Sequence, residues 1–410
     1  MESKYCKELE PGFTPVTICE EAARCLLCHD APCSKSCPAG TDPGKFIRSV
    51  RFRNFKGAAE TIRENNILGA ICARVCPTEK YCQLACSRCG IDKPIDIGRI
   101  QRYVTDLEET LGMKILEKPA HRLGKSVAVV GGGPGGLSVA AELLKKGYGV
   151  EIFEKDAQLG GYLRYGIPEY RLPNRIVDVE IQRIFDLGLV AHTGVTVGKD
   201  VTLDELKKKF DAVVVGIGLS GGKWLPMFEG NPDVETAVSF LRRVKESGGA
   251  VEIPQNVLVV GGGDVSMDVC TSLKLLGARN VTSIVYEEFC EFKASEKELA
   301  GARAENVSIY DGYIPTKVDG RTVTFEHRKL RSTVTFTADK IILAVGQTLE
   351  AEGLGLSFTR NEADSENFRV GASNVFVVGD ISKNKEKSVV GAVKSAKLAA
   401  AYIHVYLGGN

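Results

Sequence analysis

The chain has 410 residues, of which 44% are apolar and 26% charged, and a formal net charge of +1; this is a globular composition with room for about two to four domains and no electrostatic footing for nucleic acid or an anionic membrane. No apolar run approaches the ~20 residues of a membrane span, and the opening MESKYCKELEPGF lacks the apolar core of a signal peptide. A cytoplasmic location is therefore expected, where thiols stay reduced and dense cysteines point to metal rather than to disulfides.

Of the 13 cysteines, 11 precede residue 90, so residues 1–120 read as a separate unit. Its first run is Cys25-x2-Cys28-x4-Cys33-x3-Cys37-Pro38. The stretch DPGKFIRSVRFRNFKGAAETIRENN follows, with apolar positions at helical spacing behind an Asp-Pro start. A second run, Cys76-Pro77-x4-Cys82-x3-Cys86, has Cys89 close behind. After a polar link at Pro119, SVAVVGGGPGGLSVAAELLKKGYGVEIFEK reads as strand, glycine turn, helix and strand. The pattern recurs in NVLVVGGGDVSMDVCTSLKLLGARNVTSIVYEE. The short strands DAVVVGIG and DKIILAVGQ mark the crossings between two such domains, and NVFVVGD with the helix VVGAVKSAKLAAAYIHVYL closes the first. The expected fold class is α/β with an N-terminal all-α domain and two Rossmann-like dinucleotide-binding domains, the second inserted in the first. The expected boundaries are 1–120, 121–220 with 345–410, and 221–344. Lys207, Lys208 and Lys209 read as a solvated helix face, and Cys270 and Cys290 as small buried or half-buried side chains.

In the first glycine turn, Gly131, Gly133 and Gly136 form G-x-G-x-x-G between strand and helix, with Gly135 beside them. The first glycine permits the tight turn, the second lets backbone approach a pyrophosphate, and the third lets helix and strand pack closely. The helix N-terminus supplies N–H donors to the phosphates, and Glu154 ends the second strand where an adenosine ribose is held. The second turn has Gly261, Gly262 and Gly263, then Asp264, with Ser266 in the third glycine position. Tyr286-Glu287-Glu288 ends its second strand, with no arginine to meet a 2′-phosphate, which favours the free 2′-hydroxyl of NADH over the phosphate of NADPH. The competing reading has Glu287 as a solvated strand end and Arg279 reaching round. Gly346 lies at the second crossing. Two dinucleotide domains, one inserted in the other, are the arrangement of flavin disulfide-reductase-like enzymes, in which one holds FAD and the other presents NAD(P)H. The flavin-type domain carries no redox-active cysteine pair, so electrons would leave through the N-terminal thiols.

A tight cysteine run whose fourth member precedes proline is the signature of two-cluster ferredoxins, so two [4Fe–4S] clusters are expected. Zinc prefers paired C-x2-C knuckles, which only Cys25/Cys28 and Cys86/Cys89 would form. Two clusters need eight ligands and the runs supply seven: Cys25, Cys28, Cys33, Cys37, Cys76, Cys82 and Cys86. Cys89 or Cys72 is the natural eighth, and spacing alone does not choose.

The segments CLLCHDAPCSKSCP, GKFIRSVRFRNFKGAAETIRENNILGAICARVCPTEKYC, PIDIGRIQRYVTD and GIPEYRLP resemble the N-terminal electron-input portion of dihydropyrimidine dehydrogenases, especially the separate NADH-oxidising subunit of the bacterial two-subunit enzymes. The resemblance covers essentially the whole chain. It implies that one cluster takes Cys25, Cys28, Cys33 and Cys86, and the other Cys37, Cys76, Cys82 and Gln101, with Cys6, Cys19, Cys72 and Cys89 as bystanders. It further implies that Gly161 and Arg171 line the flavin and that Gly379-Asp380 holds its ribityl–phosphate region. Read from the residues alone, Asp380 is a hydroxyl acceptor at a strand end or the N-cap of the following helix.

The implied cofactors are FAD, NAD(H) and two [4Fe–4S] clusters, and the implied partner is an FMN- and iron–sulfur-containing subunit that reduces uracil or thymine. Cofactors carry such chemistry, so no acid–base catalytic residue is expected, and His29, His192 and His327 read as ordinary surface or loop residues. The alternatives are the small subunit of glutamate synthase or of an NAD(P)H:ferredoxin oxidoreductase, and more remotely a zinc-stabilised, redox-sensing interaction protein, which would not be brown.

Overall fold

The computed structural model describes residues 4–383 and 386–409. The chain divides into two compact units, each built around a five-stranded parallel sheet. In the larger, strands follow the order Val375–Val377, Ala212–Val215, Ser126–Val130, Gly149–Glu154 and Val190–Thr193. The central runs Val127–Val130 and Ala212–Val215 are buried throughout, because a parallel sheet is covered on both faces and its strands need apolar residues in every position. The helices Pro134–Lys145 and Val389–Tyr406 pack closely together in this unit.

The cysteine-rich segment is helical, as expected, but it groups with this unit rather than standing as the separate domain expected for residues 1–120. The stretch read at helical spacing forms two helices, Pro43–Arg51 and Phe55–Asn65. They are broken where Arg53 takes a left-handed φ of 59°, and each starts on a side-chain cap: Asp42 accepts from the Lys45 N–H and Asn54 from the Gly57 N–H. Phe46, Ile47, Val50, Ala58, Ala59 and Ile62 form one core with Ile97, Ile100 and Val104 of the helix Ile97–Thr110.

The smaller unit orders its strands Val234–Thr236, Lys340–Leu343, Asn256–Val260, Asn280–Ile284 and Ser308–Tyr310. A three-stranded antiparallel sheet, Tyr313–Asp319, Thr322–His327 and Thr333–Thr337, is added to it. This insertion is the second dinucleotide-type domain, so the expected fold class holds. Its membership differs from the expected boundaries at three places. The N-terminal segment through Leu9 and the segment Tyr165–Pro173 group with it, and it runs from Ser220 to Glu350. Burial explains the two segments: Tyr5 and Tyr170 meet edge to face at 6.0 Å and lie in one core with Phe240, Leu241 and Val244. Lys245 Nζ donates to the Leu172 carbonyl at 2.5 Å and pairs with Glu169 at 2.7 Å. Among the described residues, no helix is long and apolar enough to cross a membrane.

Candidate functional site

The thiols fall into two sets. Cys25, Cys28, Cys33 and Cys86 line one small cavity together with Leu27, Pro32, Ile47, Ile95 and Ile97. The chain around them is held by arginines: Arg51 donates to the Cys25 carbonyl at 2.9 Å, and Arg88 to the Arg24 carbonyl at 2.9 Å. Burial, then the neighbouring Cys86 and Cys25, pushes the Cys33 thiol up to about 11. Such thiols lose their protons only when a metal takes their place. The four sulfurs, gathered from two distant runs into an apolar cavity, fit the donor chemistry of an iron–sulfur cluster. Among the described residues no cysteine, histidine or carboxylate group converges closely enough to hold a single metal ion.

The second set centres on Cys76. Burial raises its thiol well above the ordinary value, with further contributions from Cys72, Cys82 and Cys37. The Thr41 N–H points at Cys37 Sγ at 3.4 Å. Gln101 is buried, and its side-chain amide donates to the Gly69 carbonyl at 2.7 Å, which fixes the orientation of its carbonyl oxygen. Cys72 is buried beside this set, whereas Cys89 is exposed and donates to the Gln83 carbonyl at 3.3 Å. Cys290, expected to be buried or half-buried, is exposed, since it lies in a single-turn 3-10 segment, Phe289–Glu291, with no buried residue. Cys270 is buried.

In the larger unit, four separate segments bring glycines together. Gly131 has φ +99°, and a Cβ there would lie 2.7 Å from the Gly216 carbonyl oxygen; one on Gly136 would lie 1.9 Å from that of Gly131. A Cβ on Gly161 would meet Gly133 Cα at 2.8 Å, and one on Gly135 would meet Gly379 Cα at 3.2 Å. The result is a bare-backbone cradle at the N-terminus of the helix Pro134–Lys145, the arrangement that accepts a pyrophosphate. Glu154 is buried behind it, accepting from the Gly132 N–H at 2.6 Å and the Asp156 N–H at 2.9 Å. Burial raises its carboxyl above the usual range, and each oxygen keeps a lone pair for a ribose hydroxyl. Asp380 lies in the 3-10 turn Gly379–Ile381, while Ser388 caps the following helix by accepting from the Gly391 N–H. The capping role is therefore filled by Ser388 rather than by Asp380.

In the smaller unit, Gly261, Gly262, Gly263, Asp264, Glu287 and Gly346 line a single cavity of about 940 Å³, with Tyr286, Lys293 and Gln347 among the other walls. Ser266 fills the third glycine position by donating its hydroxyl to the Gly261 carbonyl at 2.8 Å. Asp264 accepts from the Ser295 N–H at 2.6 Å and so ties the following loop to the glycine turn. The strand stops at Ile284, short of Glu287. Arg279 precedes the start of that strand, one strand length from Glu287 at ~3.3 Å per residue.

Gly161 and Arg171, expected in one segment lining the flavin, fall in different units. The Arg171 guanidinium is held by Asp268 at 2.7 Å and Glu298 at 2.9 Å, and burial raises both carboxyls against its pull. Both acids stand on helices of the inserted unit, so Arg171 pins the Tyr165–Pro173 segment there. His29 is exposed, His192 bonds to Glu151 at 2.8 Å, and His327 accepts two turn N–H groups.

Two family models match. Residues 2–113 match dihydropyrimidine dehydrogenase domain II, 4Fe-4S cluster, and residues 125–396 match pyridine nucleotide-disulphide oxidoreductase. The chain is 53% identical over 409 residues to the NAD-dependent dihydropyrimidine dehydrogenase subunit PreT of Escherichia coli K12, covering 100% of this chain and 98% of that one. It is 50% identical over 407 residues to the PreT subunit of Salmonella typhimurium, covering 99% and 98%. Among solved structures, Mycobacterium tuberculosis FprA in complex with NADPH superposes with a TM-score of 0.59 at 17% identity, over 69% of this chain and 84% of that one. Lactococcus lactis thioredoxin reductase does so with a TM-score of 0.55 at 18% identity, over 69% and 99%. The chain is thus an oxidoreductase with a 4Fe–4S domain and a domain of the FAD- and NAD-binding type, and it belongs to the family of NAD-dependent dihydropyrimidine dehydrogenase subunits.

Proposed function

We propose that this chain is the electron-input subunit of a two-part dihydropyrimidine dehydrogenase: it takes hydride from NADH onto FAD and passes single electrons by two [4Fe–4S] clusters to an FMN-containing subunit that reduces uracil or thymine to the 5,6-dihydropyrimidine. The observation that carries this reading is that Cys86, from the second run, lines one cavity with Cys25, Cys28 and Cys33 of the first, the grouping that the family's ligand pattern calls for. In this reading Gly131, Gly133, Gly135, Gly136, Gly161, Glu154, Gly379 and Asp380 hold the flavin. Gly261, Gly262, Gly263, Asp264, Glu287 and Gly346 hold the nicotinamide nucleotide. Arg171 acts by fixing the Tyr165–Pro173 segment.

The surroundings of the thiol sets support an order for them. Tyr81, between Cys76 and Cys82, lies beside Ser388, the N-cap of the C-terminal helix. Lys397, on the same C-terminal helix, donates to the Ala39 carbonyl at 2.7 Å, two residues from Cys37. The set of Cys37, Cys76, Cys82 and Gln101 therefore adjoins the flavin-type fold. In this reading Cys25, Cys28, Cys33 and Cys86 are the outer set and the exit.

NADH oxidation with uracil as acceptor, by anaerobically purified chain with and without the candidate FMN subunit, tests the division of labour. Activity is expected only in the mixture; uracil reduction by the chain alone would refute it. Gln101→Ala is expected to alter the electron paramagnetic resonance signal of one cluster and spare the other. Unchanged iron content and two unchanged signals would remove Gln101 from the ligand set.

A further inference from the structure

We infer that Lys293 is a specificity-determining residue for the pyridine nucleotide: Glu287 holds its ammonium and so masks a cation that would otherwise accept the 2′-phosphate of NADPH. The inference rests on assigning the large cavity of the smaller unit to that nucleotide.

Lys293 and Glu287 line this cavity with the glycine turn, and Lys293 Nζ lies 2.5 Å from Glu287 Oε1. Glu287 is largely buried and the Lys293 side chain is mostly exposed, but the lysine's backbone is anchored. Its loop is pinned to the turn by main-chain contacts on the two residues that follow it, Ala294 N–H to the Gly262 carbonyl at 3.2 Å and Ser295 N–H to Asp264 at 2.6 Å. The β-hairpin adds further positive charge. Arg328 stacks over the Tyr286 ring at 3.9 Å and donates to the Tyr286 carbonyl at 3.0 Å, while Lys329 pairs with Glu288 at 2.6 Å. The hairpin is itself tied to this end of the sheet by the Arg328 N–H on the Gly312 carbonyl and the Gly312 N–H on the Glu287 carbonyl.

Three cations thus surround Glu287 and Glu288, with Glu291 nearby. A ribose 2′-hydroxyl donates to the Glu287 carboxylate beside Lys293, whereas a 2′-phosphate is repelled by that carboxylate and finds the ammonium already engaged. Selectivity is then a property of the Glu287–Lys293 pair. Neutralising the acid alone releases the lysine, with no arginine introduced.

The test uses the holoenzyme with Glu287→Gln, Lys293→Met and both together. Steady-state kcat/KM is measured for NADH and NADPH with a dye acceptor, and binding of NAD+ and NADP+ by calorimetry. Glu287→Gln is expected to lower the NADH:NADPH preference by about 100-fold, mainly through gained NADPH use. Adding Lys293→Met is expected to remove at least about tenfold of that gain. If the double variant uses NADPH as well as Glu287→Gln does, or if Glu287→Gln weakens NADH without admitting NADPH, Lys293 is not the discriminating cation, although the cavity assignment stands. If none of the three variants changes the binding of either nucleotide, the cavity assignment falls and takes the inference with it.

Discussion

Cys86→Ala is expected to remove one cluster's worth of iron from the purified chain and to lower NADH-dependent uracil reduction, in the mixture with the FMN subunit, by about 100-fold or more. Dye reduction by the chain alone falls far less, because the flavin-type cradle lies on other segments of the chain. A loss of 100-fold corresponds to about 2.7 kcal/mol in the rate-limiting barrier, modest for deleting a whole carrier, so the figure is a floor. Cys86 is the informative position because it stands at the end of the second run yet lines the cavity of the first with Cys25, Cys28 and Cys33. Cys89→Ser, three residues on, is the control: that thiol is exposed and bonded to the Gln83 carbonyl, and its loss is expected to leave iron and activity in place. Iron analysis, electron paramagnetic resonance and the two assays separate the alternatives. Full iron in Cys86→Ala, or equal losses in both variants, would overturn the crossed assignment.

Much of this site was legible from the sequence because its signals are local. A glycine turn between two apolar strands requires contiguous residues, and the close approaches at Gly131, Gly136 and Gly261 are ones that any side chain would block. The pairing of Cys86 with the first run is not local, and spacing left Cys89 and Cys72 open as the eighth ligand. Only the resemblance pointed to Gln101, whose amide is buried on the Gly69 carbonyl. What escaped were charges brought in from distant segments. Arg328 arrives on a hairpin whose strands carry no nucleotide motif, and Lys293, six residues beyond Glu287, sits in a loop with no motif of its own, so the sequence shows only that no arginine adjoins Glu287. The grouping of Tyr5 and Arg171 with the inserted unit escaped for the same reason, since each is one residue in a short segment without periodicity.

Arg63 carries the same argument into the core of the larger unit, where Arg63→Met is expected to cost about 3–5 kcal/mol of stability. The Arg63 side chain is wholly buried between two equally buried carboxylates, at 2.8 Å from Glu108 and 2.7 Å from Glu180. It also donates to the Ile67 carbonyl at 2.9 Å, and Glu180 accepts from the Ala70 N–H at 3.0 Å. Burial would lower the guanidinium's affinity for its proton, and Glu180 and Glu108 together outweigh it. Arg183 reaches Glu108 at 3.0 Å and Glu180 at 3.4 Å, so the group is two arginines against two carboxylates. Removing Arg63 leaves two buried carboxylates with one cation, and the cost is that of an uncompensated buried charge rather than the worth of the lost contacts. The site joins the helices Phe55–Asn65 and Ile97–Thr110 of the cysteine-rich segment to the helix Asn174–Asp186, next to the strand order of the flavin-type sheet. Denaturant unfolding followed by circular dichroism gives the magnitude. The double variant Arg63→Met with Glu180→Gln is expected to lose less than the sum of the single losses, because the glutamine no longer needs a counter-charge. Additive losses would mean that Arg63 and Glu180 act as separate packing elements and that the pairing of charges does not fasten the thiol-bearing helices to the fold that takes up the hydride.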